Sequence, residues 1–210
     1  MSGFEITFGL FTLLLGLAMA EVLAGYVRAF KLKSRIRHGR EPGLASGSGS
    51  GAIRIGWLIP LSATVVVCHQ ATFWLFIFEM QEAIPLNFLS LLALLGVIGW
   101  YYLISAALWP EEPEAWPDFD EYYMAHRRFI WFGVIAIALL AEMARAAFGD
   151  YSEPAAPAWM IAVWEWANVV GSVALLALPF IRSVRWAGVL LWIVVAHFAA
   201  TALVSPWTGM

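Results

Sequence analysis

Residues 184–206 read VRWAGVLLWIVVAHFAATALVSP, a run of 23 residues in which Arg185 is the only Lys, Arg, Asp or Glu. A bilayer core of about 30 Å is crossed by roughly 20 predominantly apolar residues in an α-helix. The stretch therefore predicts a transmembrane helix. Working outward from it, five more blocks of the same character cover 4–30, 52–80, 85–109, 122–148 (apolar from Phe129 onward) and 157–181.

The whole chain agrees with its blocks. Of its 210 residues 62% are hydrophobic and 13% charged, with a mean hydropathy of +0.77. A soluble domain of that size needs more charge to cover its core. Strict alternation in ten-residue segments, the mark of a transmembrane β-barrel, is absent. Helices are then the structure that satisfies the backbone in lipid. The expected fold is all-α, one polytopic transmembrane bundle of six helices over 1–210. The first block carries Glu5 at its front and its basic residues behind, so it reads as a retained helix rather than a signal peptide.

Charge placement orients the bundle. Arg28, Lys31, Lys33, Arg35, Arg37, Arg40 and Arg54 surround the first loop, Arg127 and Arg128 the second of the same side, and Arg182 and Arg185 the third. Counting alternate loops puts 11 of the 12 Lys and Arg residues on one side, with Arg145 on the other. The positive-inside rule makes that side cytoplasmic and places both termini outside, in the inner (plasma) membrane of a bacterium.

Two loops stand out. Residues 31–51 form a basic, Gly/Ser-rich loop whose tract 43–51 reads as a flexible linker, and Arg35, Arg37 and Arg40 suit anionic headgroups. Residues 110–121, PEEPEAWPDFDE, form an acidic loop with six carboxylates and are followed by His126, Arg127 and Arg128. Pro110, Pro113 and Pro117 stop helix continuation, and Asp118 or Asp120 suits the cap of the next helix. Trp116, Asp118, His126, Arg127 and Arg128 are the residues expected to touch lipid or a partner subunit. Membrane lipid, further copies of the chain or a larger membrane complex are the expected partners; no nucleic acid is expected.

The tract from Leu108-Trp109-Pro110 through Asp118, Tyr122-Tyr123 and His126-Arg127-Arg128-Phe129 resembles one found in small multi-pass bacterial inner-membrane proteins, as does Gly9-Leu10-Phe11 to Ala20-Glu21. Those proteins have no assigned function, so the resemblance implies a multi-pass membrane protein and nothing finer. Leu17-Ala18-Met19-Ala20-Glu21 also echoes Leu139-Leu140-Ala141-Glu142-Met143, and the two helices cross in opposite senses, as a three-plus-three inverted repeat requires.

Ionisable residues inside the blocks carry the candidate chemistry, because burying them in hydrocarbon costs several kcal/mol, of the order of 2.5–3.5 or more. Counting from block ends places His69 and His197 slightly outward of the midplane, Glu142 and Glu165 about a turn farther out, and Glu21 inward. Asn168 and Ser172 extend Glu165 into a polar stripe, and Glu142 is spaced to pair with Arg145. The expected arrangement is a polar outer-leaflet cavity formed by His69, Glu142, Glu165, Asn168 and His197, with Glu21 continuing it inward. A transport-type or channel-like protein is the reading this favours. His69 and His197 also suit the axial positions of a b-type haem, and with the two glutamates a divalent metal. A non-catalytic subunit or assembly factor is the remaining class, served by the small-residue face Gly16, Ala20 and Ala24. Helix bundles also use polar residues simply to bond neighbouring helices.

Other chemistries find no foothold. There is no lysine inside a later helix for a retinal Schiff base, no phosphate-binding glycine loop, no zinc-protease motif and no nucleophile elbow. The single cysteine, Cys68, permits no intramolecular disulfide.

Overall fold

The structure, a computed structural model, describes residues 3–37, 54–80, 83, 85, 87–112, 115–148 and 156–208, the side chains of 3–7, 36–37 and 205–208 aside. Six helices follow one another: α1 Gly3–Arg37, α2 Leu58–Glu79, α3 Phe88–Ala107, α4 Phe119–Phe148, α5 Ala158–Ala177 and α6 Val184–Thr208. Each holds a stretch long and apolar enough to cross a membrane. Among the described residues there is no strand, only one parallel bridge between Arg54 and Asp118. The chain is a six-helix, multi-pass membrane protein, as its sequence predicts.

Helix α2 is the centre of the bundle. It packs against α6, α4, α1 and α3, and 44% of its apolar window is buried, the largest share of the six. Named contacts set the directions. Leu58 of α2 lies by Gly188 of α6 and His69 by Phe198, so these two helices run parallel. Leu58 also meets Asp120 at the start of α4, and Phe76 meets Arg145 near its end. Helix α1 runs the other way, with Phe8 against Phe78 and Tyr26 against Thr64. Helix α5 lies mainly along α6.

Boundaries differ from expectation where local chemistry is stronger than hydropathy. Helix α1 continues past residue 30 through Lys31, Lys33 and Arg35 to Arg37, because no Pro or Gly interrupts it there. Those basic residues therefore lie on a helix, not in a loop; Arg40 and the tract 43–51 lie outside the described residues, as does the side chain of Arg37. Helix α2 starts at Leu58, not at residue 52, since Arg54 is engaged by the acidic loop. Its backbone N–H donates to the Pro117 carbonyl at 2.6 Å, and its carbonyl accepts from Phe119 at 3.0 Å. Asn87 caps α3 in a reciprocal pair with Ser90.

The pairing of helices differs between the two halves. Helix α1 lies along α3 in the first half, whereas α5 lies along α6 in the second. The packing therefore lends the three-plus-three repeat no support.

Candidate functional site at the centre of the bundle

Of the polar residues expected to share one layer, the structure brings two together. His69 on α2 and His197 on α6 are close enough to interact electrostatically, and Phe198 packs against both rings, with centroids at 6.5 and 5.1 Å. Their shared depth follows from the parallel run of α2 and α6.

His69 is held from α3. Its Nδ1 shares a hydrogen bond of 2.6 Å with the hydroxyl of Tyr101, a residue with no solvent exposure. The neighbouring Gln70 donates from Nε2 to the Ser105 hydroxyl at 3.0 Å, and Ser105 donates to the Tyr101 carbonyl at 2.8 Å. Adjacent positions on α2 point about 100° apart, yet both reach α3. Tyr101 and Ser105 stand one turn apart on one face of it, where side chains four residues apart are neighbours. With Nδ1 so engaged, Nε2 of His69 is the nitrogen left for a proton or a ligand.

His197 is seated by a glycine. A Cβ on Gly171 of α5 would stand 2.4 Å from the imidazole Cγ, so only the missing side chain lets the ring lie on α5. The ring also lines an open groove of about 330 Å³ between α5 and α6, with Trp166, Ala167, Val170, Ile193, Ala196 and Ala200. The Ala167 carbonyl interacts with the ring, but Nδ1, shut off from solvent, makes no hydrogen bond of full geometry. Thr201 Oγ1, one turn farther along α6, and Gln70 Oε1 are likewise buried without a partner.

The other expected members lie elsewhere. Because Leu58 and Asp120 meet, α2 and α4 start level. His69 is eleven residues on, about 17 Å along α2, whereas Glu142 is 22 residues on, about 33 Å along α4. Glu142 is thus near the end of the bundle and exposed. The sequence count placed it deeper because it began the fourth membrane segment at Phe129, ten residues after the helix starts. Arg145 lies over the Phe76 ring at 5.5 Å rather than against Glu142. Glu165 is exposed and stands six residues before Gly171, about 9 Å from the level of His197. Asn168 donates to the Trp164 carbonyl of its own helix at 2.9 Å. Glu21 accepts from Arg28 at 2.8 Å, so it turns toward the basic end. Among the described residues no three His, Cys, Asp or Glu side chains gather as metal ligands. The four-ligand metal site therefore does not form, and His69 and His197 are the pair that a haem or a metal ion would have to use.

The acidic loop is built into the basic end. Asp118 accepts from the Asp120 backbone N–H at 2.8 Å and so caps α4, while Asp120 accepts from Leu58 N–H at 3.2 Å and caps α2. Asp118 also faces Arg54 at 3.5 Å. The Tyr122 hydroxyl donates toward the carbonyls of Ala107 and Trp109 at 3.0 and 3.3 Å, closing the end of α3. His126 stacks on Tyr122 at 4.2 Å with Trp116 against both, and Arg127 binds the Met124 carbonyl. Trp109 is buried, in a notch that Gly25 leaves. Arg128 is exposed, and Arg35 lies on the last turns of α1.

Tyr101, Gln70, Ser105 and Thr201 were not singled out from the sequence. Their signal was there, since each is a polar group inside an apolar block, but Ser and Thr are common in membrane helices and Tyr101 reads as packing. Compared with protein-family models, with curated proteins and with solved structures, the chain gives no match.

Proposed function

We propose that this is a transport-type membrane protein whose working centre is the His69–Tyr101 pair with His197 beside it, and that the species handled is the proton. The observation that carries the reading is the 2.6 Å bond between an imidazole and a phenol on different helices at mid-bundle, with a second imidazole within electrostatic reach of the first. An ionisable group held at that depth costs free energy that packing alone does not return, and such groups mark ion and proton pathways. Imidazole gives up and takes protons near neutral pH more readily than any other side chain. The residues gathered here offer nitrogen, hydroxyl and amide groups rather than a cage of carboxylates, which does not suit a hard cation such as calcium or magnesium. Under this reading Glu142, Glu165, Asn168 and Glu21 lie outside the centre. The same proposal places the basic end in the cytoplasm and both termini outside, in a bacterial inner membrane, on the strength of the Lys and Arg distribution. Proton flux into liposomes holding the purified protein, followed with a trapped pH dye, tests it; flux that does not depend on the protein rejects it.

A second reading, a subunit of a larger membrane complex, has one observation of its own. The small-residue face of α1 looks outward: Gly16 has nothing within 4 Å of a Cβ position and Ala20 is exposed. Recovery of the protein alone from native membranes in mild detergent counts against that reading.

A further inference from the structure

Helix α2 has neighbours on every side but one. Among the described residues it packs against α1 and against α6, which scarcely meet each other. Between those two a strip of α2 stays open. Trp57, Thr64, Cys68, Ala71 and Leu75 recur at spacings of seven, four, three and four, which is one face of a helix. Each of them is half-buried or exposed. Tyr26 of α1 borders the strip at Thr64, and Gly188 of α6 lies by Leu58 on its other side. The opening is narrow toward the basic end, where Leu61 within the strip is 8% exposed, and wider beyond, where Ala71, Thr72 and Leu75 are exposed.

Two cations stand at the mouth of this strip. Lys33 lies seven residues beyond Tyr26 on the same face of α1, about 10 Å nearer the basic end, which brings it from the level of Thr64 to that of Trp57. Arg185 lies three residues before Gly188 on α6, on a neighbouring part of its surface and about 4.5 Å nearer the basic end. Since Gly188 is level with Leu58, Arg185 too reaches the level of Trp57. Both cations are exposed, and neither makes an ion pair among the described residues. Asp118 and Asp120, the acids that adjoin the start of α2, are engaged by Arg54 and by the Leu58 N–H. Trp57, 76% exposed, carries an indole of the kind enriched at the boundary of membrane and water.

We infer that an anionic phospholipid of the leaflet at the basic end binds here. Its phosphate sits between Lys33 and Arg185, its glycerol esters beside the Trp57 indole, and one acyl chain lies along α2 over Thr64 toward Cys68. Charge complementarity selects the headgroup, because basic side chains beside membrane helices hold anionic lipids. Length suits the chain: Cys68 stands eleven residues from Trp57, about 16 Å, and half of a bilayer core is about 15 Å. Width selects a chain over a partner's helix, since a helix with its side chains is about 10–12 Å across and the strip is nearly closed at Leu61. The site is separate from the His69–Tyr101 bond, which turns toward α3, and it does not depend on the transport reading.

Native mass spectrometry of the full chain in mild detergent tests it, with phosphatidylglycerol and phosphatidylcholine of equal chain length offered at equal concentration. The parent should retain one phosphatidylglycerol per chain, with a preference over phosphatidylcholine of about tenfold or more. Lys33→Gln with Arg185→Gln should abolish most of that preference. Lys31→Gln with Arg128→Gln, which removes the same charge from exposed positions elsewhere at the basic end, should keep it. Cys68→Trp, which fills the strip, should lower retention several-fold with both cations in place. No preference in the parent, equal losses in the two charge pairs, or full retention in Lys33→Gln with Arg185→Gln overturns the headgroup site. Full retention in Cys68→Trp overturns the seat of the acyl chain. A lipid-free dimer that Cys68→Trp splits would give the strip to a second copy and overturn the lipid. Should Cys68→Trp fail to fold, the two charge pairs, all on exposed side chains, decide the matter alone.

Discussion

The carboxylate of Asp120, two residues into α4, accepts a hydrogen bond from the backbone N–H of Leu58 at the start of α2. One side chain thereby closes the N-terminus of a different helix and fixes the level at which the two begin. Gly56 is part of the same joint, because a Cβ there would stand 2.0 Å from the Asp120 oxygen. The level of every residue on α4 relative to α2 follows from it.

Removing that cap should therefore weaken the bundle. Asp120→Ala is expected to lose about 1 kcal/mol, the usual effect of deleting a cap, and Gly56→Ala about 1–3 kcal/mol through overpacking. Asp120→Asn, which keeps an acceptor oxygen, should lose less. Thermal unfolding in detergent reads all three, and equal stability of Asp120→Ala and the parent would contradict the joint.

Gly171→Ala should disturb the centre more than its size suggests. The new Cβ would stand 2.4 Å from His197 Cγ, so the ring must move away from α5. Overpacking of this kind costs about 1–3 kcal/mol, and proton flux should fall along with stability. A variant with parent flux and parent stability would show that the ring is not held there.

Glu21→Gln should do little. Its partner Arg28 has 55% of its side chain exposed, and exposed ion pairs contribute about 0–1 kcal/mol. Flux and unfolding temperature should both stay near the parent; a large loss of flux would restore Glu21 to the path.

Much of the fold could be read directly from the chain, and the reason is physical. Crossing hydrocarbon sets a minimum length and apolarity for each helix, so 184–206 and its five counterparts mark themselves in composition. Depth was legible only where a block's ends coincide with the helix ends. His69 and His197 lie on helices whose starts are close to those read from the sequence: Val184 for α6, and Leu58 rather than residue 52 for α2. Glu142 was misplaced because α4 runs ten residues ahead of its apolar part, carried by the caps of Asp118 and the packing of Tyr122 and Tyr123. Facing is harder still. Nothing in the spacing of Glu165, Asn168 and Ser172 shows that α5 turns its Gly171 and Ala174 side inward, or that Glu21 reaches two turns along its own helix to Arg28. Such choices are made by neighbours that a single helix does not contain.

Tyr101→Phe isolates the hydroxyl from the ring. It removes one oxygen, leaves His69 Nδ1 without its partner, and should cost about 1–3 kcal/mol as an unpaired buried group. Flux should drop about tenfold or more, because proton relay by a positioned group is commonly a factor of 10²–10⁴. Parent flux in this variant would confine Tyr101 to packing.

Proton flux through His69→Ala in liposomes, set beside the parent, Glu142→Gln and Glu165→Gln at equal incorporation, bears most directly on the role of the centre. Flux that is lost in His69→Ala and kept in both glutamate variants is the predicted result. Parent-level flux in His69→Ala, or its loss in the two glutamate variants alone, would contradict the assignment of the centre to the His69–Tyr101 pair.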